Sequence, residues 1–251
     1  MPARIRFPLA GPSPAHPYQH ATGLRALVLK WIQAADPERS ERLHEDGRPK
    51  PYSLSPLWND EGILFFDLCL LTDELVDLVA LGMARCGERV RLGPQSYCLG
   101  QPAVCECASY EALAGGETLS QFDFRLLSPT ASHAPGPCRK SIVLPSPELY
   151  FGSWLYRWNL FSPRPLDEDV LRVVEEQVAV AGCGGSTQAV RLDRGRFFIG
   201  FQGVVRFNVL KVETVPAAHL AALSALARLA PYCGTGVDTM RGMGQTEFAA
   251  N

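Results

Sequence analysis

The sequence predicts an α+β fold, and three observations carry that prediction. The first is size with composition: 251 residues, 47% apolar and 20% charged, are enough for one large domain or two smaller ones with real cores. The second is the order of hydrophobic periods over residues 1–115, which reads β-α-β-β-α-β, the ferredoxin-like arrangement. The third is the pair Gly115-Gly116, after which strand and helix periods begin again over a stretch of similar length. The expected domains are therefore 1–115 and 116–251.

In the first half, Arg4 to Leu9 alternates as a strand, and the proline-rich loop 11–17 admits no helix. Leu24, Leu27, Val28, Trp31 and Ile32 then repeat at helical spacing. Asp36 as N-cap with Pro37 at the first helical position starts a second helix that runs to about Glu45. Gly47-Arg48-Pro49 breaks it, and Tyr52 to Trp58 reads as a strand. Ile63 to Leu71 is apolar on both pleat faces, as in a central strand under helices. Thr72-Asp73-Glu74 opens a helix with the stripe Leu75, Val76, Val79, Ala80 and Met83, and strands follow around 88–92 and 95–110.

In the second half, Phe122, Phe124 and Leu126 alternate as a strand, which the Pro129–Pro137 stretch interrupts. Pro147 to Asn159 is helical, and Asp167-Glu168-Asp169 places acids at the start of a helix carrying Val170, Leu171, Val174 and Val178. Val190 to Val209 reads as a hairpin turning at Asp193-Arg194-Gly195. An Ala/Leu helix from Pro216 to Ala230 is expected to stop at Pro231, before a glycine-rich loop and a last short strand.

Charge and cysteine usage narrow the function classes. The 24 basic and 26 acidic side chains give a net charge of -2, which excludes a histone-like polycation but not a local basic groove. Residues 51–120 are acidic, with 3 basic and 10 acidic side chains, and the stretches on either side are mildly basic. The eight cysteines form no paired C-x-x-C knuckles, and Cys105-Glu106-Cys107 is too tight for the usual zinc spacing. They are expected to be reduced and mostly buried in a cytoplasmic protein, with a structural disulfide as the alternative. No signal peptide or membrane span is expected, since the longest apolar run, Gly62 to Leu71, is broken by Asp67.

Of the five histidines, His219 reads as structural, while His16 and His133 lie in loops. His44 ends a helix, and Lys50 follows six residues later, across a turn able to fold the lysine back beside the imidazole. Such a pair suits proton transfer beside a cation, although alone it is equally a solvated helix end. The tail, Gly234-Thr235-Gly236 through Arg241-Gly242-Met243-Gly244, lets backbone approach a phosphate or another chain closely. It lacks the G-K-[ST] of a P-loop and the strand-turn-helix context of a dinucleotide fingerprint.

Four stretches together resemble a known family. They are Leu43-His44-Glu45 with Lys50-Pro51-Tyr52-Ser53-Leu54-Ser55-Pro56-Leu57; Leu127-Ser128-Pro129-Thr130; Pro147 to Ser153 with Arg157-Trp158-Asn159; and the glycine-rich tail. In that order they resemble the CRISPR-associated endoribonucleases of the sixth Cas family, in the RAMP superfamily, which cut precursor guide RNA within its repeats. The resemblance implies two tandem ferredoxin-like domains of the RRM/RAMP type, each an antiparallel sheet with helices on one face. It implies cleavage without metal or other cofactor, by attack of the RNA's own 2′-hydroxyl, leaving a 2′,3′-cyclic phosphate and a 5′-hydroxyl.

By the same resemblance, His44 takes the proton work and Lys50 the charge stabilisation. Some relatives carry a tyrosine fifteen residues before this histidine; here that position is Leu29, and His20 or Tyr18 is the nearest substitute, His20 being equally a helix cap. The RNA-binding residues implied are Gly234, Gly236, Arg241, Gly242 and Gly244 of the tail, Arg191, Arg194, Arg196 and Arg206 of the hairpin, and the pair Arg139-Lys140. The partners implied are CRISPR repeat RNA, as precursor and as mature guide, with other Cas proteins or a second copy of the chain, and no membrane. The alternative within the superfamily is a subunit that binds repeat RNA without cutting it. An unrelated small-molecule α+β enzyme is a third class that no motif supports.

Overall fold

Alternation in the first strand decides the layering. The computed structural model describes residues 1–45, 47, 49–134, 136, 140–192 and 197–249. In β1 (Ala3–Ala10), Ala3, Ile5, Phe7 and Leu9 are buried, while Arg4, Arg6 and Pro8 take the other face. The strand is followed by α1 (Ala21–Ala35), α2 (Pro37–Glu45), β2 (Tyr52–Leu54), β3 (Trp58–Asp60), β4 (Ile63–Leu70), α3 (Asp73–Cys86), β5 (Arg89–Leu92), β6 (Gln95–Leu99) and β7 (Ala103–Cys107). The sheet order is β2-β4-β1-β6-β5, with β3 on β4 and β7 on β1, and the pairings of β1, β2 and β4 are antiparallel. This is the ferredoxin-like order that the β-α-β-β-α-β reading requires.

The buried stripe of α1 lies on this sheet. Phe7 and Phe66 stack at 5.0 Å, and Trp31 of α1 closes on Phe7 at 5.3 Å. Each such ring pair adds about 0.5–1.5 kcal/mol to its area burial. On the opposite sheet face, Arg6 forks onto Asp67 across β1 and β4, with Nε–Oδ1 at 2.8 Å and Nη2–Oδ2 at 3.0 Å.

A second compact unit begins after Cys107, and only short later pieces such as Met240–Gly242 belong to the first. It holds α4 (Tyr110–Ala114), β8 (Gln121–Thr130), β9 (Ser132–His133), β10 (Ser141–Ile142), α5 (Pro147–Phe161), α6 (Val170–Gln177), β11 (Val178–Arg191), β12 (Phe197–Val209), α7 (Ala217–Cys233) and β13 (Thr246–Ala249). Its sheet order, β11-β12-β8-β13, repeats the ferredoxin-like pattern. Phe124 meets Trp154 at 4.9 Å and Phe122 meets Phe151 at 5.5 Å, so α5 is held on the sheet by aromatic contacts.

Several expectations are corrected. Tyr52 to Trp58 is two strands, because the Ser55 hydroxyl accepts the Asp67 N–H and donates to the Pro56 carbonyl, diverting the chain at a residue with no N–H of its own. The second hairpin begins at Val178, twelve residues before the sequence reading, since ten consecutive residues of β11 are exposed and three are glycine, which removes any alternation. Pro231 does not stop α7; the helix ends at Gly234, whose φ of 68° caps it. The described cysteines are not mostly buried: Cys98, Cys105, Cys107 and Cys183 are exposed, Cys86 is half-buried, and Cys69 and Cys233 are enclosed, because Cys98 is an outward residue of β6 and because β7 and most of β11 are exposed along their length. All seven are free thiols, and Cys138 lies outside the described residues. Burial pushes the Cys69 thiol up to about 11, so it stays protonated. Among the described residues, no helix is long and apolar enough to cross a membrane.

The closest approach in the first unit is α1 over α3 at Gly82, where an added Cβ would lie 1.9 Å from the Trp31 carbonyl oxygen. Gly82→Ala is expected to destabilise the protein by about 1–3 kcal/mol in urea unfolding, despite alanine's better helix propensity. Unchanged stability would show that Gly82 does not set this helix spacing.

Candidate active site

The flank of α1 beside its buried stripe carries Arg25, Leu29 and Gln33, one helical turn apart and on one side. Helix α2 is fastened next to this flank. The Asp36 side chain accepts the Arg39 N–H at 2.9 Å as its cap, and the Ser40 hydroxyl donates to the Leu29 carbonyl at 3.3 Å. The result is an open cleft of about 470 Å³, lined by Leu29, Gln33, Pro37, Ser40, Glu41 and His44. His44 stands in the last turn of α2 with its ring exposed, so an imidazole available to solvent faces a surface of substrate size.

Lys50, half-buried, precedes β2. The turn expected to fold it beside His44 runs through Asp46 and Arg48, which lie outside the described residues. Two residues on, Tyr52 is buried at the start of β2 and hydrogen-bonded to Arg25. Burial raises its phenol above the usual value, against the opposing pull of the Arg25 and Arg241 guanidinium groups. It therefore remains a protonated phenol at neutral pH and cannot serve as a base. Arg241 belongs to the first unit, anchored by Met240 packing on its core and by Gly242, whose Cβ would meet the Pro56 nitrogen at 2.8 Å.

His20 is placed elsewhere. It is 3% exposed at the N-cap position of α1, its carbonyl accepting the Leu24 N–H at 2.8 Å. Its Nε2 lies 2.8 Å from the Tyr97 hydroxyl, whose one proton has Gln95 Oε1 at 2.9 Å and the Pro12 carbonyl at 3.0 Å as alternative acceptors. This enclosure differs from the solvated alternative, and the His20 side chain makes no capping hydrogen bond to α1. Tyr18, the other substitute, is half-buried, and burial raises its phenol, again leaving it protonated.

The glycine-rich tail is enclosed. Gly234, Gly236, Gly242 and Gly244 are all buried, and all four have positive φ. The N–H of Gly234 donates to Ala230 and that of Gly244 to the Pro129 carbonyl at 3.1 Å, so neither is offered to a phosphate. At Gly236 a Cβ would sit 2.1 Å from the Ala131 carbonyl oxygen. Gly236 and Gly244 let the tail lie close against Pro129 and Ala131, beside Ser128, whose Oγ accepts the Gln245 N–H at 2.8 Å. Arg157 supports them from α5: 7% exposed, it donates to the Gly236 carbonyl at 3.2 Å and to the Ser153 hydroxyl. Its pKa is lowered by burial.

Among the other expected contacts, Lys140 and Arg191 are exposed, while Arg206 is engaged by Asp123 in a two-point ion pair. Arg139, Arg194 and Arg196 lie outside the described residues. Sequence reasoning assigned no role to Arg25, nor to Tyr52 and Arg157, which stand in stretches that carry the family resemblance. Arg25 and Arg157 each sit on an amphipathic helix, where a single charge reads as solvated, and Tyr52 reads as core.

The model of the family described as CRISPR-associated endoribonuclease Cas6 matches residues 124–246. A Thermus thermophilus Cas6, solved as a product complex, aligns over 99% of both chains with 26% identity and a TM-score of 0.87. A second Cas6 product complex aligns over 99% of both chains with 26% identity and a TM-score of 0.80. A Cas6-related protein of Pyrococcus furiosus shares the fold, with a TM-score of 0.68 over the full length of both chains at 14% identity. No curated protein matches the sequence. The second-unit match, together with full-length similarity to solved Cas6 structures, makes the chain similar to the Cas6 family of CRISPR-associated endoribonucleases.

Proposed function

We propose that this protein binds CRISPR repeat RNA and cuts the precursor within each repeat, without a metal ion, through the 2′-hydroxyl next to the scissile phosphate. The observation that carries the reading is the exposed His44 imidazole on a cleft whose α1 wall continues, one turn away, into the Arg25–Tyr52–Arg241 cluster. Further support comes from the Cas6 relatives, two of which were solved as product complexes and one as a substrate-mimic complex.

In the proposed reaction the 2′-oxygen forms a bond to phosphorus as the bond from phosphorus to the 5′-oxygen breaks. The 2′ proton passes to His44, and the departing 5′-oxygen takes a proton from water. The products are a 2′,3′-cyclic phosphate and a 5′-hydroxyl. A positioned imidazole contributes about 10²- to 10⁴-fold to such a step. Lys50 serves as a fixed cation for the oxygens that gain charge, and His20 holds the first turn of α1. Lys140, Arg191 and Arg241 contact phosphates and position the RNA without reading its sequence. The tail glycines act indirectly, by seating Arg241.

Two predictions follow from these assignments. In single-turnover cleavage of an end-labelled repeat RNA, with chelator present, His44→Ala is expected to lose about 100-fold or more in rate while binding a 2′-deoxy version of the substrate normally. Wild-type cleavage by the variant would remove His44 from the chemistry; tight RNA binding without cleavage by the unaltered protein would instead mark a binding subunit. Gly236→Ala is expected to lower both the melting temperature and the affinity for repeat RNA, because its φ of 78° and the nearby Ala131 carbonyl leave no room for a methyl group. Full affinity in that variant would show that the tail does not position the RNA.

A further inference from the structure

Arg25 is an unusual guanidinium for a protein with balanced charge. Its Nε is shut away from solvent without a hydrogen-bond partner, and its guanidinium lies beside the Tyr52 hydroxyl. Among the described residues it has no carboxylate partner. A guanidinium carries five N–H donors, and among the described residues those on its terminal nitrogens have no acceptor besides the Tyr52 hydroxyl. Arg25 is also half-buried, and Arg241 stands close enough to act on the same phenol. Two like charges drawn to one neutral hydroxyl, with no acid fastening Arg25, repel one another unless an anion joins them.

The phenol is suited to hold this arrangement. As a protonated hydroxyl it accepts a hydrogen bond from Arg25 without cancelling its charge, whereas a carboxylate in its place would consume the cation. Arg25 lies one turn from Leu29, whose side chain helps line the His44 cleft but offers no donor of its own. The flank of α1 thus has a charged position one turn from an uncharged one that lines the His44 cleft.

We infer that Arg25, held in place by the Tyr52 hydroxyl, is a catalytic residue that grips the non-bridging oxygens of the scissile phosphate and stabilises the charge gathering there during cleavage. The inference rests on the proposed 2′-hydroxyl reaction and adds a residue that none of the motifs pointed to. Arg is fitted to this task because its planar fork meets two phosphate oxygens at once. A group acting only as the transition state forms lowers the rate when removed and leaves ground-state binding nearly intact.

The test compares the wild-type protein with Arg25→Gln, Arg25→Lys and His44→Ala, using repeat RNA from the array of the same genome. Single-turnover rates are measured on the 2′-hydroxyl substrate, dissociation constants on the 2′-deoxy one, and melting temperatures on each protein. Arg25→Gln keeps a donor for Tyr52 and is expected to lose about 100-fold in rate, with affinity within about threefold of wild type. Arg25→Lys, which keeps the charge, is expected to recover at least about tenfold of that loss. Cleavage by Arg25→Gln within about threefold of wild type, while His44→Ala is inactive, would overturn the role of Arg25 and leave the proposed function standing. Parallel losses of rate and affinity, or equal losses in both Arg25 variants with lowered melting temperatures, would also overturn it. Absence of cleavage by the wild-type protein would overturn the reaction itself, and this inference with it.

Discussion

One face of α1 is clamped to the first sheet, and that clamp sets the direction of every other residue on the helix. Trp31 is fully enclosed against Phe7 and Phe66, while Gly82 lets α3 close over the Trp31 backbone. With six residues of α1 buried, the helix has no freedom to rotate. Its flank of Arg25, Leu29 and Gln33 is therefore fixed in space, and α2 is tied to that flank through Ser40 and Asp36. The position of His44 follows from those two hydrogen bonds. A site whose rotamers depend on a packed helix is held more firmly than one built on free loops.

The same economy of parts runs through the tail. Gly236 and Gly244 let one stretch of backbone lie against Ala131 and Pro129, while Gly242, next to Arg241, packs on Pro56 within the first unit. Arg157 is buried for the same purpose, its guanidinium occupied by the Gly236 carbonyl and the Ser153 hydroxyl. A cation placed there is shielded from water and from RNA alike, so its contribution is to the shape of the tail. Charge that reaches the substrate must come from residues at the rim of these structures, which reconciles a net charge of -2 with a polyanionic partner.

Much of this was legible in the sequence. The stripe of α1, the two-sided apolar strand β4 and the cap at Asp36 follow directly from period and local chemistry, and they are enough to give the ferredoxin-like order of the first half. The long strand β11 was not legible from Val178 to Gln188, because an exposed, glycine-containing edge has no alternation to read. Pro231 misled because proline in the last turn of a helix forfeits a single hydrogen bond, less than the burial of Tyr232 and Cys233 returns. His44 stood out by its place before a turn. Arg25 and Tyr52 did not, since their pairing joins a helix flank to a strand 27 positions later, and no periodicity reports a contact between elements.

The account turns on where the scissile phosphate rests. The most direct measurement is a crystal structure of the protein with repeat RNA carrying a single 2′-deoxy nucleotide before the cut, which preserves the ground-state complex. The account predicts the scissile phosphate at the α1–α2 cleft, with the 2′ position of the preceding sugar within hydrogen-bond reach of His44 and a non-bridging oxygen on Arg25. A scissile phosphate seated away from this cleft, with His44 open to solvent, would contradict it.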